Sequence, residues 1–444
     1  MQTRLERFTQ KARAEPRLQF TALMGLLSEG TGLHASFVRQ DGRKAPGVDG
    51  VKKDAYAENL AERIADLSAR VRRLGYRPKP ARRTYIPKGN GRYRPLGIPS
   101  FEDRLVQDRL SRILQAIWEP EFRDCSYGFR PGRSAHQALA RVAEVITNEQ
   151  TQWVVEADIK GFFDHVHHDH LMRFLGHRIK DPNFLRIIRR FLKAGIMEDG
   201  IFDATLEGTP QGGLVSPVLA NIYLHYVLDL WFEKRFARQC RGKAYLVRYA
   251  DDYIACFQYE GDAKRFHREM VTRLAKFALE VEPSKTAILR FGSTALRYKA
   301  RGHKCPRTFS FLGFTHYAGR SRTGRFVVGR KTDGKRKRKK LKLLSARLRG
   351  MRSEGGRVMI AFLRRHLQGH IQYYGVSGNG RSVASYIYCA THYLYKWLNR
   401  RSQRCSLNWK SFGEVVRPLL PTARIVHDLY PVPKWKTQAG SRMV

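Results

Sequence analysis

The chain has 444 residues and a formal net charge of +44, from 83 lysines and arginines against 39 aspartates and glutamates. A hydrophobic fraction of 42% and an aromatic fraction of 11% exclude a disordered chain, and the length allows more than one domain with its own core. Because so large a positive charge opposes compaction unless a polyanion neutralises it, the composition predicts binding to the phosphates of nucleic acid.

Helical and hairpin patterns alternate in the N-terminal part of the chain. Residues 55–74 carry apolar side chains at a spacing of about 3.6, which predicts a helix, and residues 102–118 show the same periodicity. Between them, residues 82–96 combine many cations with a central Gly-Asn-Gly, which predicts a basic β-hairpin.

Short apolar runs with an aspartate at or beside their ends characterise the middle of the chain. They span residues 153–159, 245–250 and 253–257 and predict strands. Helical patterns lie between them, at residues 168–194 and 217–238. Strands interleaved with helices in this way predict an α+β domain.

A basic, helical region follows residue 320. Residues 329–352 are dense in lysine and arginine, with an unbroken run of cations at their centre: Lys335, Arg336, Lys337, Arg338, Lys339 and Lys340. Leucines at helical spacing continue this segment, and residues 358–398 are helical in pattern and rich in aromatic side chains. We expect a helical C-terminal domain, followed by a polar tail.

The cysteines and the hydropathy pattern bear on the compartment. None of the six cysteines forms a CxxC pair, which favours reduced thiols in a cytosolic protein over a zinc knuckle or a disulfide framework. The N-terminal segment is charged and lacks the apolar stretch of a secretory signal. No apolar run approaches the ~18 residues that a membrane helix needs, so we expect a cytoplasmic protein.

Asp158, Asp251 and Asp252 are the candidate catalytic residues. Each lies at the end of a predicted strand, where a rigid backbone can present a carboxylate to a cleft. Adjacent aspartates in a tight turn repel each other unless a cation screens them, as two Mg²⁺ ions with oxygen ligands would do. Two metals about 4 Å apart can stabilise both the attacking and the leaving oxygen of a phosphoryl transfer. A solvated Asp-Asp turn is the alternative, and the third aspartate together with the positive charge favours metal binding.

Six sequence blocks resemble, in order, those of reverse transcriptases, and the two earliest have the form found in group II intron-encoded members. They are residues 94–99 (RPLGIP), 126–134 (SYGFRPGRS), 158–164 (DIKGFFD), 208–217 (GTPQGGLVSP), 249–252 (YADD) and 311–314 (FLGF). A YADD box alone is a weak signal, whereas the ordered set is specific. The resemblance implies an α+β right-hand polymerase with fingers, palm and thumb and an antiparallel palm sheet.

The same resemblance implies a division of the chain. Residues 1–150 would form an N-terminal extension and fingers, and residues 151–320 the palm with the catalytic strands. Residues 321–425 would form a helical thumb with maturase domain X, and residues 426–444 a C-terminal tail.

The resemblance also assigns roles around the three aspartates, which match the family's metal-binding triad. The backbone carbonyl of Ile159 would face the second metal. Phe163 matches the side chain that screens the sugar 2′ position, and Gln211 matches the residue that contacts the incoming nucleotide. Lys285 matches a later block of less certain role. The primer grip would be formed by Phe311, Leu312 and Gly313.

Three cations of the basic hairpin are candidates for binding the triphosphate, since point charges and bidentate forks both suit that task. They are Arg83, Lys88 and Arg94. The alternative is an ordinary solvated, charged hairpin.

The C-terminal domain indicates the subclass. Residues 364–375 and 393–401 resemble the thumb and X region of intron maturases, and the run 335–340 is expected to bind RNA. Because no CxxC follows, the chain resembles the endonuclease-lacking type. The expected partners are group II intron RNA, an RNA template with a DNA primer, dNTPs and a DNA target, in the bacterial cytoplasm.

Three functions remain open at this point. The first is a working polymerase that also binds and folds intron RNA. The second is an RNA-binding splicing cofactor whose polymerisation is incidental, and the third is a domesticated relative in defence or repair. The intact set of aspartates favours the first.

Overall fold

The computed structural model describes residues 4–89, 92–198, 200–203, 207–208, 212–303, 308–321, 323–400 and 407–432. The helices are α1 Arg4–Ala14, α2 Met24–Leu27, α3 Gly30–Arg39, α4 Lys53–Ala57, α5 Leu60–Arg72, α6 Phe101–Trp118, α7 Ala135–Thr147, α8 His168–Gly176, α9 Pro182–Leu192, α10 Ser216–Leu224, α11 Glu260–Ala275, α12 Ser293–Ala300, α13 Gly334–Gly350, α14 Gly356–Tyr374, α15 Gly380–Asn399 and α16 Trp409–Val415. The strands are β1 Ala81–Gly89, β2 Arg92–Ile98, β3 Trp153–Ala157, β4 Ile196–Glu198, β5 Ile201–Asp203, β6 Ala244–Tyr249, β7 Asp252–Phe257, β8 Ala287–Arg290, β9 Phe309–Phe311, β10 Phe314–Arg320 and β11 Phe326–Thr332. The predicted mixture of helices and antiparallel sheets is confirmed.

Four strands form an antiparallel central sheet in the order β6, β7, β3, β8. Its inner strands, β3 and β7, come from the apolar runs that predicted them. Successive side chains of a strand point to opposite faces, so Val155 and Ala157 join one core cluster and Val154 joins another. The central sheet is therefore covered on both sides and holds its strand ends rigidly.

The described residues form two further sheets, one of four strands and one of three. The predicted basic hairpin is present as β1 and β2, and β1 also pairs in parallel with β4, which pairs with β5. Strands β9, β10 and β11 form a three-stranded antiparallel sheet. The β10–β11 hairpin spans the expected palm–thumb boundary at residues 320–321.

The predicted helical segments are helical in the structure, but some of them are interrupted at positions that the periodicity did not predict. The helix expected over 55–74 is interrupted at Asn59, whose backbone is not helical, and resumes as α5. The helix expected over 168–194 is two helices, because Asp181 caps α9 by accepting hydrogen bonds from the backbone N–H of Asn183 and Phe184. The basic segment 329–352 begins as strand β11 and becomes helical only at α13.

The C-terminal helices α13 to α16 pack around their own core, which includes Leu344, Leu363, Tyr386 and Leu394. Asp333 caps α13 through the N–H of Arg336. Within the described ranges, none of the helices combines the length and the apolar character that crossing a membrane would take.

Candidate active site

The antiparallel register brings the three aspartates to one end of the central sheet. Ala157 pairs with Tyr253, so the next position in that register places Asp158 beside Asp252. Tyr249 pairs with Asp252 on the other side, which leaves Ala250 and Asp251 to form the turn between β6 and β7. Residues that are far apart in the sequence thus meet at one edge, as predicted.

The carboxylates at this edge are close enough to repel one another. Burial raises the pKa of Asp252 to about 6, and the charges of Asp251 and Asp158 contribute to this shift. Burial also raises the pKa of Asp251, with a contribution from Asp158, while the positive charge of Arg94 opposes the shift. Such a site favours a cation, and carboxylate oxygens are the ligands that Mg²⁺ prefers.

Lys285 supplies one positive charge at this edge. Its ammonium donates a hydrogen bond to the Asp158 carboxylate, and this contact raises the pKa of Lys285. Among the described residues, no group of three or more His, Cys, Asp or Glu side chains is arranged so that it could hold a metal ion as it stands. The carboxylate oxygens of Asp158, Asp251 and Asp252 are nevertheless ligands of the kind that divalent ions prefer. Asp158 would have to lose its hydrogen bond from Lys285 before it could bind such an ion.

The backbone that follows Asp158 is fixed by hydrogen bonds to the segment 280–282. The carbonyl of Asp158 accepts from the N–H of Glu282 at 2.8 Å, and the N–H of Lys160 donates to the carbonyl of Glu280 at 2.9 Å. Because backbone groups alternate in direction along a strand, the carbonyl of Ile159 points away from that segment, toward the β7 side.

Phe163 lies in the turn after Ile159 and is half-buried. Its ring packs edge-on against Phe162 with centroids 5.3 Å apart. Phe162 is only 2% exposed and belongs to the core, so Phe163 is the ring of the pair that retains an accessible surface.

Glu156 is a fourth carboxylate on this face, and sequence analysis missed it. It lies two residues before Asp158, and strand alternation puts both side chains on the same face. It accepts a hydrogen bond from the N–H of Ser310 at 3.2 Å, and burial raises its pKa to about 7. A polar residue inside an otherwise apolar strand was the signal that could have identified it.

Ser310 directly precedes the predicted primer grip, Phe311 to Gly313, which forms a tight hairpin between β9 and β10. Phe311 pairs with Phe314, and the two turn residues, Leu312 and Gly313, have φ values of 49° and 82°. The carbonyl of Leu312 accepts from the hydroxyl of Tyr373 in α14 at 2.8 Å. The hairpin is therefore tied to the central sheet on one side and to the C-terminal helices on the other.

The basic hairpin divides its cations between two faces. Directly opposite residues share a face, and Arg94 lies opposite Ile86 whereas Arg83 lies opposite Gly97. Ile86 and Arg83 are an odd number of residues apart, so Arg94 and Arg83 point to opposite sides. Arg83 faces Glu198, with Nε 3.7 Å from Oε2, and Arg94 is exposed near Asp251. The predicted trio is therefore not brought together, because Arg83 and Arg94 lie on opposite faces of the hairpin. Lys88 lies in β1, and its side chain falls outside the described residues.

Two glycines of the block at 208–217 lie against other parts of the site: Gly208 contacts the first catalytic box, and Gly212 contacts the basic hairpin. Gly208 has a φ of 85°, and a side chain there would lie 2.9 Å from the Phe163 carbonyl oxygen, so only glycine fits. Gly212 faces the Gly97 carbonyl of β2 in the same way. Gln211, the predicted nucleotide contact, lies outside the described residues.

The predicted RNA-binding run at the start of α13 does not behave as one surface. Lys335, Arg336 and Arg338 are exposed. Lys340 is half-buried over the ring of Tyr386, and burial lowers its pKa.

The other two lysines of the run are half-buried. Lys337 donates to the Ser385 hydroxyl at 2.8 Å, and Lys339 also makes an interaction within the protein. The run is therefore a mixture of solvated cations and cations that pack against the neighbouring helices.

Known proteins resemble this chain over the region that holds the site. The family described as "Reverse transcriptase (RNA-dependent DNA polymerase)" matches residues 86–316, more than half of the chain. Protein YkfC of Escherichia coli (strain K12) is 33% identical over 351 residues, 71% of this chain and 88% of that protein. The group II intron-encoded protein LtrA of Lactococcus lactis subsp. cremoris is 38% identical over 231 residues, 51% of this chain and 38% of LtrA.

An uncharacterized 91 kDa protein in the cob intron of Schizosaccharomyces pombe is 48% identical over 155 residues, 35% of this chain and 19% of that protein. The matches to the two intron proteins thus span less than half of their length. Taken with the ordered sequence blocks, the matches show that the chain belongs to the reverse transcriptase family and that it is similar to a group II intron-encoded protein.

Proposed function

We propose that this chain extends a DNA primer on an RNA template by two-metal phosphoryl transfer, at a site formed by Asp158, Asp251 and Asp252. The observation that carries the proposal is the strand register, which sets Asp158 beside Asp252 while burial and mutual repulsion raise the pKa values of Asp251 and Asp252. Carboxylates held together against their own repulsion bind divalent cations strongly.

The residues of the site act by binding and orientation. The three aspartates and the Ile159 carbonyl would hold two Mg²⁺ ions. When bound, these ions stabilise negative charge on the attacking and the leaving oxygen. The reaction joins the primer 3′ oxygen to the α-phosphorus of a dNTP and releases pyrophosphate.

Neighbouring side chains would select and position the substrates. The half-buried ring of Phe163 would exclude a 2′-hydroxyl by steric contact, and ribonucleotide incorporation by a Phe163→Ala variant tests this role. Arg94 would bind the triphosphate from the side of the basic hairpin that faces Asp251. The hairpin of Phe311 to Gly313 would hold the primer end at a fixed height above the central sheet.

The domain assignment follows from these roles. We assign residues 1–150 to the N-terminal extension and fingers, the central sheet to the palm and helices α13 to α16 to the thumb and domain X. The palm–thumb boundary is placed after β11, because a boundary at 320–321 would divide the β10–β11 hairpin. The exposed cations of the C-terminal helices would bind group II intron RNA as a maturase does, with template RNA and target DNA as further partners in the bacterial cytoplasm.

Primer extension on poly(rA) annealed to oligo(dT) tests the proposal. We expect Asp251→Asn to lower kcat by at least ~10³-fold, because loss of a metal ligand removes several kcal/mol of transition-state stabilisation. RNA binding, measured by filter retention, should stay near that of the wild type. Asp169→Asn, which changes an exposed aspartate, is the matched control.

Two results would contradict parts of the proposal. Extension by Asp251→Asn at the wild-type rate would reject the metal site. A wild-type protein that binds RNA and promotes intron splicing but extends no primer would favour the splicing cofactor instead.

A further inference from the structure

Arg248 is a fully buried cation beneath the turn that carries Asp251 and Asp252. Its Nε and Nη2 donate to the two carboxylate oxygens of Asp229, at 2.8 and 2.5 Å. Nη1 donates to the side-chain oxygen of Asn221 at 3.1 Å and to the carbonyl of Ala250 at 3.0 Å.

Nη2 also donates to the hydroxyl of Ser126 at 2.8 Å. A guanidinium has five N–H donors, and each donor of Arg248 therefore has an acceptor.

The acceptors come from three separate parts of the chain. Asn221 lies in α10, and Asp229 lies at the end of the π-helical turn that continues α10. Such a turn is a local widening of the helix that is often found at functional sites, and here it accompanies the carboxylate that Arg248 binds. Ser126 belongs to the block at 126–134, which runs beside β6: the N–H of Arg248 donates to the carbonyl of Cys125 at 2.7 Å.

The bond to Ala250 acts on the turn itself. Ala250 has a φ of 58°, a left-handed conformation that costs energy for a residue with a side chain. Gly128 packs on the preceding peptide, between Tyr249 and Ala250, and a side chain at this position would come within 2.4 Å of the Ala250 backbone nitrogen. The strained turn is thus hydrogen-bonded by Arg248 and packed closely against Gly128.

Stability alone does not explain this arrangement. Desolvation makes a buried ion pair costly, and apolar residues of similar size often replace one without loss of stability. A planar, five-donor cation does, however, fix the relative positions of all the groups that it binds.

Resting on the proposed function, we propose that Arg248, held by Asp229, is a positioning residue that sets the orientation of the Ala250–Asp252 turn, so that the carboxylates of Asp251 and Asp252 converge with that of Asp158 on the divalent cations.

The decisive variant is Arg248→Met combined with Asp229→Leu, which replaces the ion pair by apolar side chains. We expect the midpoint of thermal unfolding to stay near that of the wild type, while kcat for primer extension falls roughly 10²-fold, as a small misplacement of catalytic groups requires. KM for the dNTP should change less than about twofold, because the groups that bind the substrate are unaltered. A wild-type kcat in this folded variant would overturn the proposal.

Direct binding of Mn²⁺, followed by electron paramagnetic resonance, gives a second measurement that does not depend on turnover. We expect the dissociation constant of the double variant to rise several-fold, and an unchanged constant would overturn the proposal. Because this measurement needs no polymerisation, it decides the role of Arg248 even if the wild-type protein fails to extend a primer, a failure that would reject only the proposed function.

Two further variants complete the test. Arg248→Lys serves in place of the double variant if that variant does not fold. It keeps the charge but offers only three donors, so it should show the same loss of kcat and of Mn²⁺ affinity. The control is Arg109→Met with Glu29→Leu, which removes another ion pair: Arg109 is 7% exposed, and its Nη2 lies 2.6 Å from Glu29. This control pair contacts α2 and α3 instead of the turn, and it should leave kcat and Mn²⁺ binding unchanged.

Discussion

The β6–β7 and β1–β2 hairpins are both antiparallel and both carry arginines, but one buries its arginine and the other exposes it. In β6–β7, Arg248 is fully buried and each of its donors has an acceptor within the protein. In β1–β2, Arg94 is exposed, beside the exposed side chains of Ile86 and Tyr93. A cation with all its donors occupied can only organise the protein, whereas an exposed cation beside apolar surface can bind a ligand.

Of the changes that test this contrast, a substitution of Gly128, which packs on the β6–β7 turn, should have the largest effect. In Gly128→Ala, the new methyl group would come within 2.4 Å of the Ala250 nitrogen, which is backbone and cannot rotate away. The turn must move, and we expect kcat for primer extension to fall by ~10²-fold or more. Gly25→Ala is the control, because nothing lies within 4 Å of its added atom. Equal kcat values in both variants would contradict close packing between Gly128 and the turn.

The exposed hairpin should respond through substrate affinity. We expect Arg94→Ala to raise KM for the dNTP about tenfold with a smaller change in kcat, because the variant cannot form the charge-assisted hydrogen bond to phosphate. Arg83→Ala should change KM less, since Arg83 points to the other face and toward Glu198. Steady-state kinetics on the same primer–template distinguish the two, and equal effects would show that both arginines reach the triphosphate.

The same contrast explains what the sequence could predict. The three aspartates and their strands were predictable because apolar runs and strand ends are local patterns, and the ordered blocks predicted the family. The partners of Arg248 were not, since Asp229 lies in a helix 19 residues away and reaches Arg248 only through the tertiary fold. Glu156 was missed because its partner, the Ser310 N–H, is 154 residues distant.

Charge runs were the least informative pattern. The stretch from Lys335 to Lys340 is uniform in sequence, but helical periodicity turns its members in different directions. Lys340 lies over the rings of Tyr374 and Tyr386 at 5.7 and 5.6 Å, while Lys335 remains in solvent. The composition of the segment therefore supports the hypothesis that the segment as a whole binds RNA. It does not predict which of its lysines are free to contact the RNA.

Salt dependence of RNA binding can separate these lysines. Neutralising the exposed Lys335, Arg336 and Arg338 to Gln should flatten the plot of log affinity against log salt by up to about 0.7 to 0.9 for each phosphate that is no longer neutralised. Lys340→Gln should leave the slope unchanged, because the Nζ of Lys340 contacts the His370 ring nitrogen at 3.3 Å. Filter binding to poly(rA) over a range of salt gives both slopes. A flattened slope in Lys340→Gln would mean that this lysine leaves its packed position to bind RNA.

The smallest predicted effect concerns the three-stranded sheet that carries the primer-grip hairpin. His316 is fully buried, stacks on Phe309 with centroids 4.6 Å apart and pairs across the strands with the buried Arg330. Burial and the charge of Arg330 lower the pKa of His316 to about 3, below its ordinary value of 6.5.

Between these two pH values the unfolded chain binds a proton at His316 that the folded chain does not, so stability falls as the pH drops below 6.5. The slope from one such group is at most about 1.4 kcal/mol per pH unit. His316→Phe keeps the stacked ring and removes the proton site, and we expect denaturant unfolding between pH 7 and pH 5 to show a shallower loss of stability than in the wild type. Since burial lowers the pKa values of His225 and His370 as well, the variant should flatten the curve without abolishing its slope. Identical curves for both proteins would mean that His316 has the same pKa in the folded and in the unfolded chain, which would contradict its burial in the sheet.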